Sequence, residues 1–305
     1  MRATHLPVLY NVTRSNTFFH TKTDHSAASV FIPICAGRRT GMVIYMKIAT
    51  YNVWNENKGV GNRFDQLVNE INSVGSDIIG LQEVTSYFYE TYLASNKNYP
   101  FHIYGKYSNE DEGLAILSKY PILESCFLHT SKEHSFSKAL NILLEVDGRK
   151  ISFTNLHLPW NSALEKERQI CEIDRYLHTQ LSQNGLLIMV GDFNGGLNSS
   201  IHRYLIGEQS LNGCEANPYW DELATGYSAI SGEPIRATLD TITNPRWAGS
   251  RAAYPPTATD RIYTLEYRYD FSLESLRILG TTISPQNGLA PSDHYGVVAE
   301  IEFDE

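Results

Sequence analysis

The sequence predicts an α/β (α+β) fold in which two mixed β-sheets pack face to face and helices cover their outer sides. Roughly ten short apolar segments have the composition of buried strands, against only two long helices, and this is too many strands for one small sheet. Strand–helix–strand units alternate with hairpins, so mixed sheets are expected rather than purely parallel ones. Two packed sheets would bury segments as apolar as these.

The first half of the chain alternates between strands and helices. Apolar runs that are rich in β-branched residues predict strands, whereas apolar residues at a spacing of three and four, as in Phe64, Leu67, Val68 and Ile71, predict a helix. The elements predicted here are a strand over 46–53, a helix over 63–74, a strand over 77–84, a tyrosine-rich helix over 86–95, and strands over 114–119 and 122–128.

The second half contains the clearest hairpin and the longest helix. Two β-runs flank Asp147-Gly148, which is a strong hairpin signal. The remaining predictions are hairpin strands over 139–146 and 149–158, a helix over 162–182, a buried strand from Leu186 to Val190 that runs into Gly191-Asp192, a short helix over 199–205, an irregular segment over 207–259, and closing strands over 260–265 and 294–303.

Composition and charge limit the function classes. Hydrophobic residues make up 42% of the 305 residues, as in globular proteins, and no apolar stretch approaches the roughly 20 residues of a membrane-spanning helix. The net charge is −9, which does not suit non-specific binding to duplex nucleic acid. The four cysteines lie far apart without zinc-ligand or redox spacing, so we expect free thiols and a reducing, cytoplasmic location.

Residues 1–45 differ from the rest of the chain. They contain five basic residues and one acid, show no clear periodicity and make a poor signal peptide. We therefore predict a disordered or non-native extension over 1–45 and one catalytic domain over 46–305.

Polar residues stand where the predicted strands begin or end. Asn52, Glu83, Asn155, His157, Asp192, Asn194, Asp260, Asp293 and His294 all occupy such positions. Strand ends gather on one rim of a sheet, so these side chains are expected to lie close together. Carboxylate and amide oxygens without thiolates favour Mg²⁺ or Mn²⁺ over zinc. The sequence thus predicts a hard-cation site beside two histidines.

Seven motifs carry a family resemblance. They are Thr50-Tyr51-Asn52, Leu81-Gln82-Glu83-Val84, Gly113-Leu114-Ala115-Ile116-Leu117-Ser118, Thr154-Asn155-Leu156-His157-Leu158, Gly191-Asp192-Phe193-Asn194, Asp260-Arg261-Ile262 and Pro291-Ser292-Asp293-His294. In this order they resemble the endonuclease/exonuclease/phosphatase (deoxyribonuclease I-like) superfamily over residues 46–303. Each motif is weak alone, whereas the ordered set is specific.

The resemblance implies a four-layer α/β/β/α sandwich and metal-dependent hydrolysis of a phosphoester by in-line attack of water. It assigns Glu83, Asn52 and Asp293 to a Mg²⁺ or Mn²⁺ ion. It implies that Asp192 activates the water, and that Asn194, His157 and His294 contact the phosphate while Asp260 holds the His294 ring. Phosphoryl transfer depends on positioning and charge neutralisation, which agrees with this residue set.

Some alternatives remain open from the residues alone. Asn52 is also typical of a turn at a strand end, and His157 of a hydrogen-bonded core histidine. The motifs around residues 238–241 and 291–296 look closest to phosphodiesterases that remove tyrosine from 5′ DNA ends, although those enzymes usually have an aromatic residue where Leu239 stands.

We expect a monomeric phosphodiesterase without stable membrane insertion, whose phosphoester substrate includes DNA ends as one candidate. A phosphatase or phospholipase C-type esterase on a small or lipid phosphoester, and an inactive binding module on the same fold, are the alternatives.

Overall fold

The computed structural model describes residues 44–56, 63–108, 110–128, 139–250 and 254–303. The prediction that residues 1–45 are disordered therefore falls almost wholly outside the described residues. The first strand begins at Ile44, two residues before the predicted start.

Two six-stranded mixed sheets form the centre of the fold. The strands are β1 Ile44–Asn52, β2 Ile78–Val84, β3 Phe101–Lys106, β4 Gly113–Ser118, β5 Ile122–Leu128, β6 Ala139–Val146, β7 Arg149–His157, β8 Leu186–Asp192, β9 Asp221–Glu222, β10 Asp260–Glu266, β11 Phe271–Leu279 and β12 Gly296–Phe303. The strand order of the first sheet is β11-β12-β1-β2-β4-β3, and that of the second is β5-β6-β7-β8-β10-β9.

The sheets pack face to face over an apolar core to which both contribute. Ile48 and Ile116 of the first sheet meet Phe153, Ile188 and Val190 of the second. Because β1, β2, β7 and β8 are apolar on both faces, each must be covered on its outer side as well.

Helices supply those outer layers. They are α1 Arg63–Val74, α2 Ser86–Phe88 with a π-helical continuation Tyr89–Leu93, α3 Ala163–Asn184, α4 Ser200–Leu205 and α5 Leu223–Ser231. Leu67 and Ile71 of α1 pack on the first sheet, and Ile170 and Leu177 of α3 pack on the second. The predicted four-layer α/β/β/α sandwich is therefore confirmed.

The sequence analysis missed two strands and assigned one segment wrongly. Strands β3 and β11 were not predicted, and the segment predicted to be irregular contains β9 and α5. β3 and β11 are edge strands with many half-buried or exposed residues, so their patterns are less apolar than those of the inner strands. In the part of the chain that the structure describes, no helix is long and apolar enough to cross a membrane.

The outer layer beside the second sheet contains a buried histidine. His202 is 4% exposed, and its Nδ1 lies 2.8 Å from the Tyr263 hydroxyl. Burial, and secondarily the charge of Arg261, lowers the pKa of His202 to about 4. The folded protein therefore keeps this ring neutral at a pH where the unfolded chain protonates it.

We expect the free energy of unfolding to fall by about 2 kcal/mol between pH 7 and pH 5 through His202. The unfolded chain binds this proton near pH 6.5 and the folded chain only near pH 4, so stability is lost as the pH falls through that window. Urea denaturation at pH 7 and pH 5 measures how far the free energy of unfolding falls in the wild type and in His202→Gln. An equal loss in both proteins would contradict this assignment.

Candidate active site

Strand register places three predicted site residues side by side on the second sheet. β7 and β8 are parallel with His157 opposite Asp192, and β8 and β10 are antiparallel with Asp260 also opposite Asp192. These three residues, distant in sequence, thus form one row across adjacent strands. Since the sheet is covered on both faces, the row is buried, with Asp192 1% exposed.

The first sheet contributes Asn52 and Glu83 from neighbouring strands. Asn52 is the last residue of β1, and Glu83 lies where the β2–β4 pairing shifts register between Leu81 and Val84. Glu83 adopts a left-handed backbone conformation with φ 57°. This conformation costs about 1–3 kcal/mol in a residue other than glycine and is characteristic of functional sites. The irregularity turns the Glu83 carboxylate toward the second sheet.

Asp192 is the centre of the cluster. The Asn52 amide donates to Asp192 Oδ2 at 3.1 Å, and the Asn194 backbone N–H donates to Oδ1 at 2.8 Å. His157 Nε2 lies 3.8 Å and His294 Nδ1 3.9 Å from Asp192 Oδ2. A single buried carboxylate is therefore surrounded by polar groups from both sheets.

Asn52 links Asp192 to Glu83. Its amide nitrogen also donates to Glu83 Oε1 at 3.0 Å, and its Oδ1 accepts the Trp54 N–H at 3.0 Å. His157 Nε2 lies 3.9 Å from the same Glu83 oxygen. Thus Asn52 and His157, for which a turn and a core role had remained open, both contact the acidic centre.

His294 is held by Asp260. Its Nδ1 lies 2.9 Å from Asp260 Oδ2, and Thr238 Oγ1 accepts the backbone N–H of Asp260 at 3.0 Å. Burial lowers the pKa of His294, but the carboxylates of Asp260 and Asp192 outweigh this and hold it well above its ordinary value. Because Nδ1 of His294 faces Asp260, the other ring nitrogen, Nε2, points away from Asp260.

The strand predicted to begin at His294 begins at Gly296, so its start was predicted wrongly. Residues 291–294 instead form a bend, in which Ser292 Oγ donates to the Asn52 carbonyl at 2.7 Å and accepts the His294 N–H at 3.2 Å. In a regular strand Asp293 and His294 would point apart. Because residues 291–294 bend, the side chains of Asp293 and His294 are not forced onto opposite faces of a strand.

Asp293 lies in the electrostatic field of the cluster. Burial raises the pKa of Asp293; the His294 charge opposes this, and the Glu83 and Asp192 carboxylates raise it further. Its backbone carbonyl accepts the Trp247 indole N–H at 2.9 Å. The carboxylates of Glu83, Asp192 and Asp293 thus influence one another, beside the cationic His294 ring.

Asn194 follows Asp192 in a tight turn rather than in an extended strand. Its φ is 47°, a conformation that asparagine tolerates better than most residues. One amide N–H donates to the Leu158 carbonyl at 2.9 Å. Phe193 points the other way, is 1% exposed and packs on Tyr263.

Lys166 was not predicted as part of the site. The Lys166 ammonium donates to the Asn194 carbonyl and therefore lies beside the turn that follows Asp192. Burial lowers the pKa of Lys166, and the Asp192 carboxylate opposes that shift. In sequence it is one of four consecutive charged residues, 165–168, and nothing distinguishes it from its neighbours.

Asn155 does not join the cluster, although it stands at a predicted strand end. It is fully buried, and its amide donates to the carbonyls of Leu81 and Ala115 at 2.9 and 3.0 Å. Gln82 donates to its Oδ1 at 2.6 Å. Asn155 therefore joins the two sheets behind the site.

One set of described side chains brings potential metal ligands together, and a different set was predicted from sequence. Asp192, Asp260 and His294 bring one potential ligand atom each within 4.8 Å of one another. Glu83 and Asp293, with Asn52, are the oxygen-only set predicted from sequence. His294 Nδ1 in the first set is already engaged by Asp260.

A family model decides the relationship of this chain to known proteins. The model of the Endonuclease/Exonuclease/phosphatase family matches residues 49–294, which span the whole cluster. The chain belongs to this family. Members of the endonuclease/exonuclease/phosphatase family are hydrolases that act on phosphoesters.

Solved structures share the fold at low sequence identity. TDP2 from Caenorhabditis elegans is 18% identical with a TM-score of 0.65, and the match covers 85% of this chain and 74% of that one. TDP2 from D. rerio, in complex with a single-strand DNA product, is 19% identical with a TM-score of 0.64, and the match covers 86% of this chain and 99% of that one. The human Nocturnin catalytic domain with bound sulfate is 18% identical with a TM-score of 0.62, and the match covers 86% of this chain and 98% of that one. No curated protein sequence matches the chain.

Proposed function

We propose that this protein is a divalent-metal-dependent phosphodiesterase that hydrolyses its substrate by in-line attack of water. The observation that carries the proposal is the convergence of Asn52, His157 and His294 on the buried carboxylate of Asp192. Hydrolysis needs a base for the water, donors for the phosphoryl oxygens and a positive charge. The side chains of this cluster supply the base and the donors.

Asp192 orients the attacking water and accepts its proton. The Asn52 and Asn194 N–H groups fix both of its oxygens, so the carboxylate is held in one orientation before substrate binds. Such preorganisation lowers the barrier because no group has to reorganise during the reaction.

The phosphoryl oxygens are contacted from two sides. One amide hydrogen of Asn194 is used by Leu158, which leaves the second for the substrate. Asp260 holds His294 through Nδ1, which leaves Nε2 as the donor. His157 Nε2, between Glu83 and Asp192, supplies a further contact.

The residues present fit a hard divalent cation. Glu83 and Asp293 are carboxylates, and Asn52 Oδ1 has a second lone pair besides the one used by Trp54. Burial raises the pKa of Asp293, and the Glu83 and Asp192 carboxylates raise it further, so a cation bound beside it would oppose that shift. Bound there, Mg²⁺ or Mn²⁺ supplies positive charge to the phosphoryl group.

Glu83→Gln is expected to raise the Mg²⁺ concentration for half-maximal activity by about ten- to a hundredfold, because it removes the charge of the main predicted ligand. Activity measured over a Mg²⁺ titration tests this. Glu124→Gln, on the exposed edge strand β5, is the control. An unchanged Mg²⁺ requirement in Glu83→Gln would exclude Glu83 as a ligand.

A substrate panel tests the proposed function. Full-length protein with Mg²⁺ is assayed against bis(p-nitrophenyl) phosphate, 5′-tyrosyl DNA, abasic DNA, sphingomyelin and inositol phosphates. Hydrolysis of the diesters supports the proposal, and 5′-tyrosyl DNA as the best substrate would assign DNA ends. Preference for monoesters would favour a phosphatase, and turnover of nothing would favour the inactive binding module.

A further inference from the structure

Two cysteines that are distant in sequence lie together in the outer layer beside the second sheet. Cys171 is on α3, and Cys214 is in the segment between α4 and α5. Both belong to one buried apolar cluster, in which they are 3% and 8% exposed, and both are free thiols. They are brought together because the segment between α4 and α5 packs against α3.

The two cysteines meet at one carbonyl oxygen. The Cys171 thiol donates to the Leu211 carbonyl, with its sulfur 3.7 Å from the oxygen, and the Cys214 backbone N–H donates to the same oxygen at 2.7 Å. A second bond, from the Leu211 N–H to the Cys214 carbonyl at 3.0 Å, closes residues 211–214 into a tight turn. The Cys171 sulfur therefore lies against the turn that carries Cys214.

The two thiols also interact with each other. Burial, and after it the neighbouring Cys214 thiol, raises the pKa of Cys171 to about 12. A hydrogen bond between the two thiols contributes to that shift. Such a bond requires the two sulfurs to face each other, which is also the orientation that a disulfide needs.

Arg175 distinguishes the two thiols. It follows Cys171 by one turn of α3, and its Nη2 lies 2.5 Å from the Cys214 sulfur. A guanidinium thus contacts Cys214, whereas Cys171 donates to a backbone carbonyl and stays protonated near neutral pH. Oxidants react with cysteines in electropositive surroundings first, so Cys214 is the thiol expected to react before its neighbour.

We propose that Cys171 and Cys214 form a reversible disulfide when the folded protein meets a hydroperoxide. The Cys214 thiolate attacks one oxygen of hydrogen peroxide, the O–O bond breaks, and the leaving hydroxide takes up the proton that Cys214 released. The Cys171 sulfur then attacks the sulfur of the resulting sulfenic acid, and its proton and the sulfenic hydroxyl leave as water. Two thiols are oxidised and one peroxide is reduced to two waters. The bond joins α3 to the segment between α4 and α5, and it does not depend on the proposed function.

Mass spectrometry of the full-length protein tests the proposal. The variant Cys35→Ser/Cys126→Ser retains only the proposed pair of cysteines. Treatment of this folded variant with a small excess of hydrogen peroxide should lower its mass by about 2 Da, and dithiothreitol should restore it. Peptide mapping without reductant should find Cys171 and Cys214 in one cross-linked pair of peptides. An unchanged mass, or added oxygen without a cross-link, would overturn the proposal.

Single-cysteine variants test the order of the two steps. In the same background, Cys171→Ser should gain about 16 Da at Cys214, because the sulfenic acid then has no thiol to react with. Cys214→Ser should keep an unmodified Cys171 under the same treatment. Oxidation of Cys171 as fast as that of Cys214 would overturn the assignment of Cys214 as the first nucleophile.

The wild type provides a matched control thiol, since Cys126 is exposed on β5. The cross-link between Cys171 and Cys214 should form in higher yield than any cross-link to Cys126. The cross-linked protein should also unfold at a midpoint about 5 °C above that of the reduced protein, because the bond restricts a long loop of the unfolded chain. Equal yields of cross-links to Cys126, or a midpoint that does not rise, would show that the pair is not placed for bonding in the folded protein and would overturn the proposal.

Discussion

Asp192→Asn is expected to lower kcat by about three orders of magnitude while the protein stays folded. Asparagine has the same shape, and its Oδ1 can still accept the Asn194 N–H that now binds Asp192 Oδ1. Its amide nitrogen cannot accept a proton from water and presents hydrogens to the Asn52 amide, which now donates to Oδ2. The substitution therefore removes the base with little change of volume.

The control for Asp192→Asn is a second buried aspartate outside the site. Asp174 is also 1% exposed, and it accepts hydrogen bonds from the Tyr204 hydroxyl at 2.6 Å and the Trp220 indole at 2.7 Å. Asp174→Asn should lower the thermal unfolding midpoint more than kcat. Initial rates and thermal unfolding of both variants make the comparison. More than about a tenth of wild-type turnover in folded Asp192→Asn would exclude Asp192 as the base.

His294→Ala should lower kcat by about a hundred- to a thousandfold, because it removes the donor to the phosphoryl oxygen and the cation beside Asp192 and Asp260. It also leaves Asp260, 2% exposed, without its cationic partner. An uncompensated buried carboxylate costs about 3–5 kcal/mol of stability, so a loss of activity could reflect unfolding.

The double variant His294→Ala/Asp260→Asn separates the two effects. It removes the unpaired carboxylate, so stability should largely return, whereas turnover should remain as low as in the single variant. Urea denaturation and initial rates measured on the same preparations give both quantities. Recovery of turnover together with stability would show that His294 acts through folding alone.

The inner strands and their polar ends could be predicted from sequence because burial on both faces requires nearly continuous apolar runs. β8 shows this most clearly, since five apolar residues precede Gly191 and Asp192. β11 escaped prediction because a bulge between Leu273 and Ser275 interrupts its alternation of apolar and polar residues. α5 was missed because its N-cap is Glu222, an uncommon capping residue, and because it contains Gly226.

The identity of the site residues was more predictable than their mutual arrangement. Glu83 and Asp192 stand out as acids at the ends of apolar strands, but the left-handed turn at Glu83 depends on the irregular pairing of β2 with β4. The bend that brings His294 toward Asp192 depends on the Ser292 contact with Asn52, 240 residues away. Lys166 reaches the site only because α3 packs beside the turn at Asn194. Contacts of this kind follow from tertiary packing, which local sequence patterns do not encode.

The central claim is that water attacks phosphorus at the Asp192 site. Hydrolysis of bis(p-nitrophenyl) phosphate in ¹⁸O-labelled water with Mg²⁺, analysed by mass spectrometry of both products, tests it most directly. With the wild type, the account predicts one ¹⁸O atom in p-nitrophenyl phosphate and none in p-nitrophenol. With Asp192→Asn over the same reaction time, it predicts no labelled p-nitrophenyl phosphate above background. Label in p-nitrophenol, or equal labelling of the phosphate by Asp192→Asn, would contradict it.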